Sequence, residues 1–92
     1  MIVYLATNAV NGMQYVGAAL CLKKRKSAHL SAARRGRGSK HSLQEAIRVY
    51  GEDNFTFSVL DTAKDRKDLS KKEHKWIDKL NTVHPHGYNL LR

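Results

Sequence analysis

Two short runs of β-branched and aromatic residues open the chain and constrain its fold more than anything after them. Residues 2–6 read IVYLA and residues 13–17 read MQYVG. Such runs favour extended backbone, where branched and ring side chains pack on a pleated surface. Between them lies TNAVNG, and its Asn11-Gly12 pair supplies hairpin-turn chemistry. The runs are therefore predicted to pair antiparallel, with a register that depends on the loop. A two-residue turn at Asn11-Gly12 sets Tyr4 across from Ala19, whereas a longer loop beginning near Thr7 sets it near Tyr15.

From Leu22 to about Arg35 the pattern turns helical, with Leu22, Leu30 and Ala33 within one broad face. RRGRGSKH then breaks it with two glycines. SLQEAIRVYG is the clearest helix. Ser42 and Glu45 make an S-x-x-E capping box, Leu43, Ala46, Ile47 and Tyr50 follow helical spacing, and Gly51 ends the run. NFTFSVL alternates Phe55, Phe57 and Val59 against Thr56 and Ser58, which reads as a third strand. A last helix is predicted from about Asp65 to Leu80, and HPHGYNLLR closes the chain in turns. Residues 1–92 read as one domain, without repeats or linkers.

Charge says more about partners than about fold. Lys and Arg number 17 against 8 Asp and Glu, a formal net charge of +9, which favours an anionic partner and nucleic acid first. Cys21 is the only cysteine, so no internal disulfide forms, and the residue is expected to be a small buried or half-buried filler. No apolar run approaches the ~20 residues of a membrane span. No basic, apolar leader precedes the first strand. These features fit a reducing, intracellular and cytoplasmic setting.

A few residues break the patterns. On the last helix Leu69, Trp76, Ile77 and Leu80 share an apolar stripe, and Glu73 lies inside it. A carboxylate there is costly unless paired, either with a lysine or arginine or with a hard divalent cation. Arg25 and His29 stand four apart and share a helix face; an arginine fork fits phosphate oxygens and the histidine could carry a proton. Taken alone, that pair reads as a solvated face, and Tyr4 and Tyr15 read as sheet residues burying their rings. His84 and His86, with His41 or His74, could be imagined around zinc, but no Cys/His spacing supports it.

Taken in order, IVY at 2–4, YVG at 15–17, Arg25, His29, Glu73 in EHKWIDKLNT and Asn89 in HGYNL resemble the GIY-YIG nuclease family. The likeness is greatest to the catalytic domains of phage and intron homing endonucleases. It spans nearly the whole chain. Each short motif is weak alone, but together they keep the family's order and approximate spacing. The first motif's glycine is Ile2 here, and the motif isoleucines are Val3 and Val16.

The resemblance implies an α/β (α+β) fold: a small three-stranded antiparallel sheet flanked by helices in the order β-β-α-α-β-α. It implies metal-dependent hydrolysis of DNA phosphodiesters. Glu73 would bind Mg²⁺ or Mn²⁺, and Tyr15 would be the base for the attacking water, with Tyr4 orienting that water or sharing the role. Arg25 would steady charge on phosphorus, His29 would assist, and Asn89 would brace the site. Lys23, Lys24, Lys26, Arg34, Arg35, Arg37 and Lys40 are expected to contact the DNA. Family members usually join this domain to a separate DNA-recognition region. A basic module that binds DNA or structured RNA without cutting it is the alternative; it explains the charge but not Glu73 beside Arg25, His29 and Asn89.

Overall fold

The computed structural model describes residues 1–90. β1 (Ile2–Asn8) and β2 (Gln14–Ala19) form the opening hairpin, followed by α1 (Leu22–Arg34) and α2 (Leu43–Tyr50). β3 (Phe55–Thr62) and α3 (Arg66–Leu80) complete the order β-β-α-α-β-α. The sheet is antiparallel throughout, with β1 in the centre between β2 and β3.

The hairpin register is neither of those expected from the sequence. β1 runs on to Asn8, leaving a loop over 9–13, and Tyr4 pairs with Gly17 while Ala6 pairs with Tyr15. The cause lies in Asn8. Its side chain accepts from the Val10 N–H at 2.9 Å, its N–H donates to Met13 O at 2.9 Å, and the turn is thereby set between the two loop lengths. Both tyrosines still fall on one face of the sheet, because positions two apart on paired strands do so.

That face carries Ala6, Phe55, Phe57 and Tyr15 against Ala33 and Leu30 of α1 and Leu43, Ala46 and Ile47 of α2. The opposite face carries Val3, Leu5, Val16 and Leu60 against Leu69, Trp76, Ile77 and Leu80 of α3. The sheet is thus the middle of three layers. Leu60 reaches the α3 side by plain alternation from Phe57 and Val59, while a bulge opposite Val3 and Tyr4 sets Asp61 rather than Leu60 across from Val3, where it accepts from Trp76 Nε1. Val59, paired with Tyr4, keeps to the side of the two phenylalanines but is half exposed.

Local chemistry fixes the helix ends. Ser42 Oγ accepts from the Glu45 N–H, as expected of a capping box, but the Glu45 carboxylate turns to the N–H of His41 rather than Ser42. The Ser42 N–H is already held by Ser39 O. Tyr50, assigned by spacing to the apolar face of α2, is exposed in the helix's last turn. Asp65 caps α3 by accepting from the Asp68 N–H. Cys21 precedes α1 and is exposed rather than buried, since the chain leaves the sheet there.

The closing turn is stitched to the free edge of β2. Tyr88 N donates to Gln14 O, and the Asn89 side chain both accepts from Val16 N and donates to Val16 O, each at 2.9 Å. Gly87 sits so close to Thr82 and Gln14 that a side chain would meet backbone oxygens of both. Leu91 and Arg92, the end of that predicted turn, lie outside the described residues.

Candidate active site

Two rings and an imidazole meet where β1, β2 and α1 converge. Tyr4 is 1% exposed in the central strand, and its hydroxyl lies 2.7 Å from His29 Nε2. The phenol has room because its partner across the hairpin is Gly17: a Cβ there would fall on Cζ and the hydroxyl of Tyr4. Tyr15 stands beside it with ring centroids 6.1 Å apart. Phe57 stacks on His29 at 6.0 Å, and Tyr15 meets the imidazole edge-on at 5.7 Å.

His29 is therefore no solvated residue. It is buried, and its other ring nitrogen, Nδ1, faces Gln44 Nε2 at 3.0 Å from the first turn of α2. Burial, helped by the positive charge of Arg25, lowers its pKa from 6.5 to about 4, so the ring is neutral at physiological pH. Arg25, one turn earlier on α1, is exposed. The pair shares a helix face as its spacing requires, with the imidazole turned in and the guanidinium left at the surface.

Burial also raises Tyr4 far above the ordinary tyrosine range and raises Tyr15 as well. The two hydroxyls act oppositely on each other: interaction with Tyr15 raises Tyr4, and interaction with Tyr4 lowers Tyr15. Arg25 lowers both. Tyr15 is thus the more readily ionised of the pair and, being only partly buried, the more accessible.

Glu73 comes from α3, which packs against β2 and β1 from the other face of the sheet. Because β2 is an edge strand, α1 and α3 both present side chains beside it. Glu73 is half-buried, and its charge acts on Tyr15 and Tyr4, raising both. Desolvation raises its own pKa, with His74 opposing. Among the described residues no lysine, arginine or histidine nitrogen forms a salt bridge with it; the ion pairs are Arg34–Glu52, Lys72–Asp61 and Lys72–Asp68. The salt-bridge explanation for a carboxylate in this stripe therefore does not hold here.

Asn89 stands behind the site. Its amide takes both outward backbone groups of Val16, between Tyr15 and Gly17, and Thr82 Oγ1 donates to its oxygen at 2.7 Å. It braces the strand that carries Tyr15. The structure thus brings Tyr4, Tyr15 and His29 into contact, sets Arg25 and Glu73 within electrostatic reach of them, and puts Asn89 in support.

A family model described as the GIY-YIG catalytic domain matches residues 1–89. The chain belongs to the GIY-YIG family. It carries that family's nuclease domain, and its structure is similar to that of the catalytic domain of the homing endonuclease I-TevI. The TM-score is 0.85 at 27% identity, covering 98% of this chain and 97% of that one. A glutamate-to-alanine mutant of the I-TevI catalytic domain matches as well, with TM-score 0.85 and 28% identity over 97% of this chain and 91% of that chain. No curated protein matches the sequence significantly.

Within this GIY-YIG domain the expected DNA-contacting cations are unequal. Lys23, Lys24, Arg35, Arg37 and Lys40 are exposed on α1 and the glycine-rich loop. Lys26 lies 5.7 Å over the Phe57 ring, at the border of the tyrosine cluster. Arg34 is held by Glu52 through a two-pronged pair at 2.6 and 2.7 Å. His41 and His84 come together, with ring centroids 4.4 Å apart, but among the described residues no three His, Cys, Asp or Glu side chains gather so as to hold a metal ion.

Sequence reasoning missed two members of the site. Gly17 was legible only as part of a motif, and its function, making room for the Tyr4 ring, needs the register. Gln44 had no signal, since a glutamine on the first turn of a helix is ordinary. No helix is long and apolar enough to cross a membrane among the described residues.

Proposed function

We propose that this domain is a divalent-metal-dependent endodeoxyribonuclease that hydrolyses DNA phosphodiester bonds, in the manner of a homing endonuclease's catalytic part. The observation that carries the reading is Glu73: a half-buried carboxylate without a salt-bridge partner, whose charge acts on two tyrosines that burial already makes hard to ionise. A group so placed is costly in a merely structural protein. A site with one carboxylate suits Mg²⁺ or Mn²⁺, since Mg²⁺ keeps several of its waters and takes only one or two protein carboxylates. Glu73 would hold the ion, which when bound supplies positive charge against the phosphate and the developing alkoxide.

The remaining chemistry belongs to the chain. Tyr15 takes the proton from the attacking water: burial and the charge of Glu73 raise its pKa, the Tyr4 hydroxyl and Arg25 oppose them, and an ion held by Glu73 would cancel the carboxylate's share. Tyr4 orients that water, held in place by the short contact with neutral His29. Arg25 donates to the phosphate oxygens as charge builds on them, the term that usually dominates such catalysis. Asn89 keeps the Tyr15 strand in register through Val16. Exposed Lys23, Lys24, Arg35, Arg37 and Lys40 neutralise flanking phosphates, which gives affinity without sequence preference. A separate recognition region would supply the target site.

Incubating plasmid DNA with the protein and Mg²⁺, with and without EDTA, tests the reading. Nicked or linear product that EDTA abolishes is the expected result. Retarded but uncut DNA would replace the nuclease with a basic binding module.

A further inference from the structure

His29 sits between two partners that cannot both be treated alike. A neutral imidazole has one nitrogen that donates and one that accepts. Gln44 Nε2 faces Nδ1 at 3.0 Å, and an amide nitrogen can only donate, so Nδ1 is the acceptor. The proton must then be on Nε2, which faces the Tyr4 hydroxyl at 2.7 Å. In that arrangement Tyr4 oxygen receives a hydrogen from His29, and the hydroxyl's own hydrogen is free to be given elsewhere. In the other tautomer Nε2 is a bare acceptor and captures the Tyr4 hydrogen. Which nitrogen carries the proton therefore decides whether Tyr4 can donate toward Tyr15 and the reacting groups.

We propose that Gln44 is a positioning residue that fixes the Nε2–H tautomer of His29 and so directs the Tyr4 hydroxyl hydrogen away from the imidazole. Three features hold Gln44 to that task. It occupies the first turn of α2, anchored by the Ser42 cap. It is partly buried. Gly38, at φ +94, lies so close that a Cβ there would stand 2.8 Å from Gln44 Cβ and 3.2 Å from its Oε1, so the glycine-rich loop closes over the amide. The ring has no need of a second proton, because its burial among Tyr4, Tyr15 and Phe57 keeps it neutral.

The role in catalysis rests on the nuclease reading, but the tautomer does not, and the test separates them. Long-range proton–nitrogen NMR correlations of the imidazole report directly which ring nitrogen is protonated. They are recorded for the wild-type protein, Gln44→Glu and Gln44→Met, well above the histidine titration range, alongside single-turnover plasmid cleavage with Mg²⁺. The wild type is expected to show Nε2–H. Gln44→Glu, whose carboxylate can only accept, should move the proton to Nδ1 and slow cleavage by about tenfold or more, less than the roughly 10²–10⁴-fold of losing a proton-transfer group because the hydroxyl is redirected and not removed. Gln44→Met, which offers Nδ1 nothing, should give a mixture of tautomers and an intermediate rate. Nδ1–H in the wild type overturns the proposal outright, whatever the variants do. So does a tautomer that stays at Nε2 in both variants, or cleavage at wild-type rate in both. Nε2–H in the wild type that moves in Gln44→Glu, in a protein that cuts no DNA, would sustain the tautomer assignment while removing the nuclease reading.

Discussion

The ring of Tyr4 occupies the space that a side chain at Gly17 would fill. The hairpin register pairs them directly, and a Cβ at Gly17 would land on Cζ and the hydroxyl of Tyr4. The glycine of the YVG motif is thus a socket for the tyrosine of the IVY motif. Gly17→Ala should force the phenol out of its place and off His29. Overpacking of this kind costs roughly 1–3 kcal/mol. Urea unfolding together with cleavage per folded molecule checks it, and unchanged values of both would mean the ring can yield without consequence.

Much of this was legible in the sequence, and the reasons differ by element. Strands and helices follow from periodicity, so the order of elements could be read directly. The register could not, because it turns on Asn8 bonding locally to Val10 and Met13, a loop closure that competes with the turn signal of Asn11-Gly12. The bulge that sets Asp61 across from Val3 is likewise invisible to alternation. Glu73 announced itself by violating an apolar stripe. His29 did not, since spacing tells which residues share a face but not how far each is buried.

Glu73→Gln should abolish cleavage without loss of stability. The carboxylate is half-buried and unpaired, so its neutral isostere removes a desolvation cost. Thermal melting should show a midpoint equal to or above wild type, and the same preparation should leave supercoiled DNA uncut with Mg²⁺. A lower midpoint with cleavage retained would mean the glutamate serves the fold.

The two tyrosines should separate by kind of loss. Tyr15→Phe should cost more cleavage than Tyr4→Phe, because Tyr15 is the more readily ionised hydroxyl. Tyr4→Phe should cost more stability, about 1–2 kcal/mol, because it leaves buried His29 Nε2 without its partner. Single-turnover rates across pH and denaturant melts on both variants decide the ranking. Wild-type rates in both would remove tyrosine from the mechanism.

Acid should unfold the domain through His29. Its pKa is about 4 when folded against 6.5 when exposed, so between those values the unfolded chain binds more protons than the native one. The stabilisation is complete above the higher value, declines as pH falls, and is lost by the lower. The total is on the order of 3 kcal/mol. Measured as the difference between wild type and His29→Gln, the pH dependence should be confined to that window. Parallel curves for the two proteins would place the acid sensitivity elsewhere.

Arg25 should behave unlike the lysines that surround it in the sequence. Lys23, Lys24, Arg25 and Lys26 are all exposed, but successive residues step by ~100° around a helix and cannot share one direction. Arg25 follows the face of His29, and its charge is felt by Tyr4, Tyr15 and His29. Arg25→Ala should therefore remove most of the cleavage rate on saturating DNA, a loss of about a hundredfold or more for one donor aimed at transition-state charge. Its effect on affinity should match one phosphate contact. Changing Lys23 and Lys24 together to Ala should instead flatten the salt dependence of binding by roughly 0.9 per lysine while turnover on saturating DNA stays near wild type. Salt-titrated fluorescence anisotropy and single-turnover cleavage on the same three proteins measure both quantities. An Arg25 variant that only binds more weakly, as a lysine variant does, would reduce the whole cationic run to an electrostatic surface with no catalytic member.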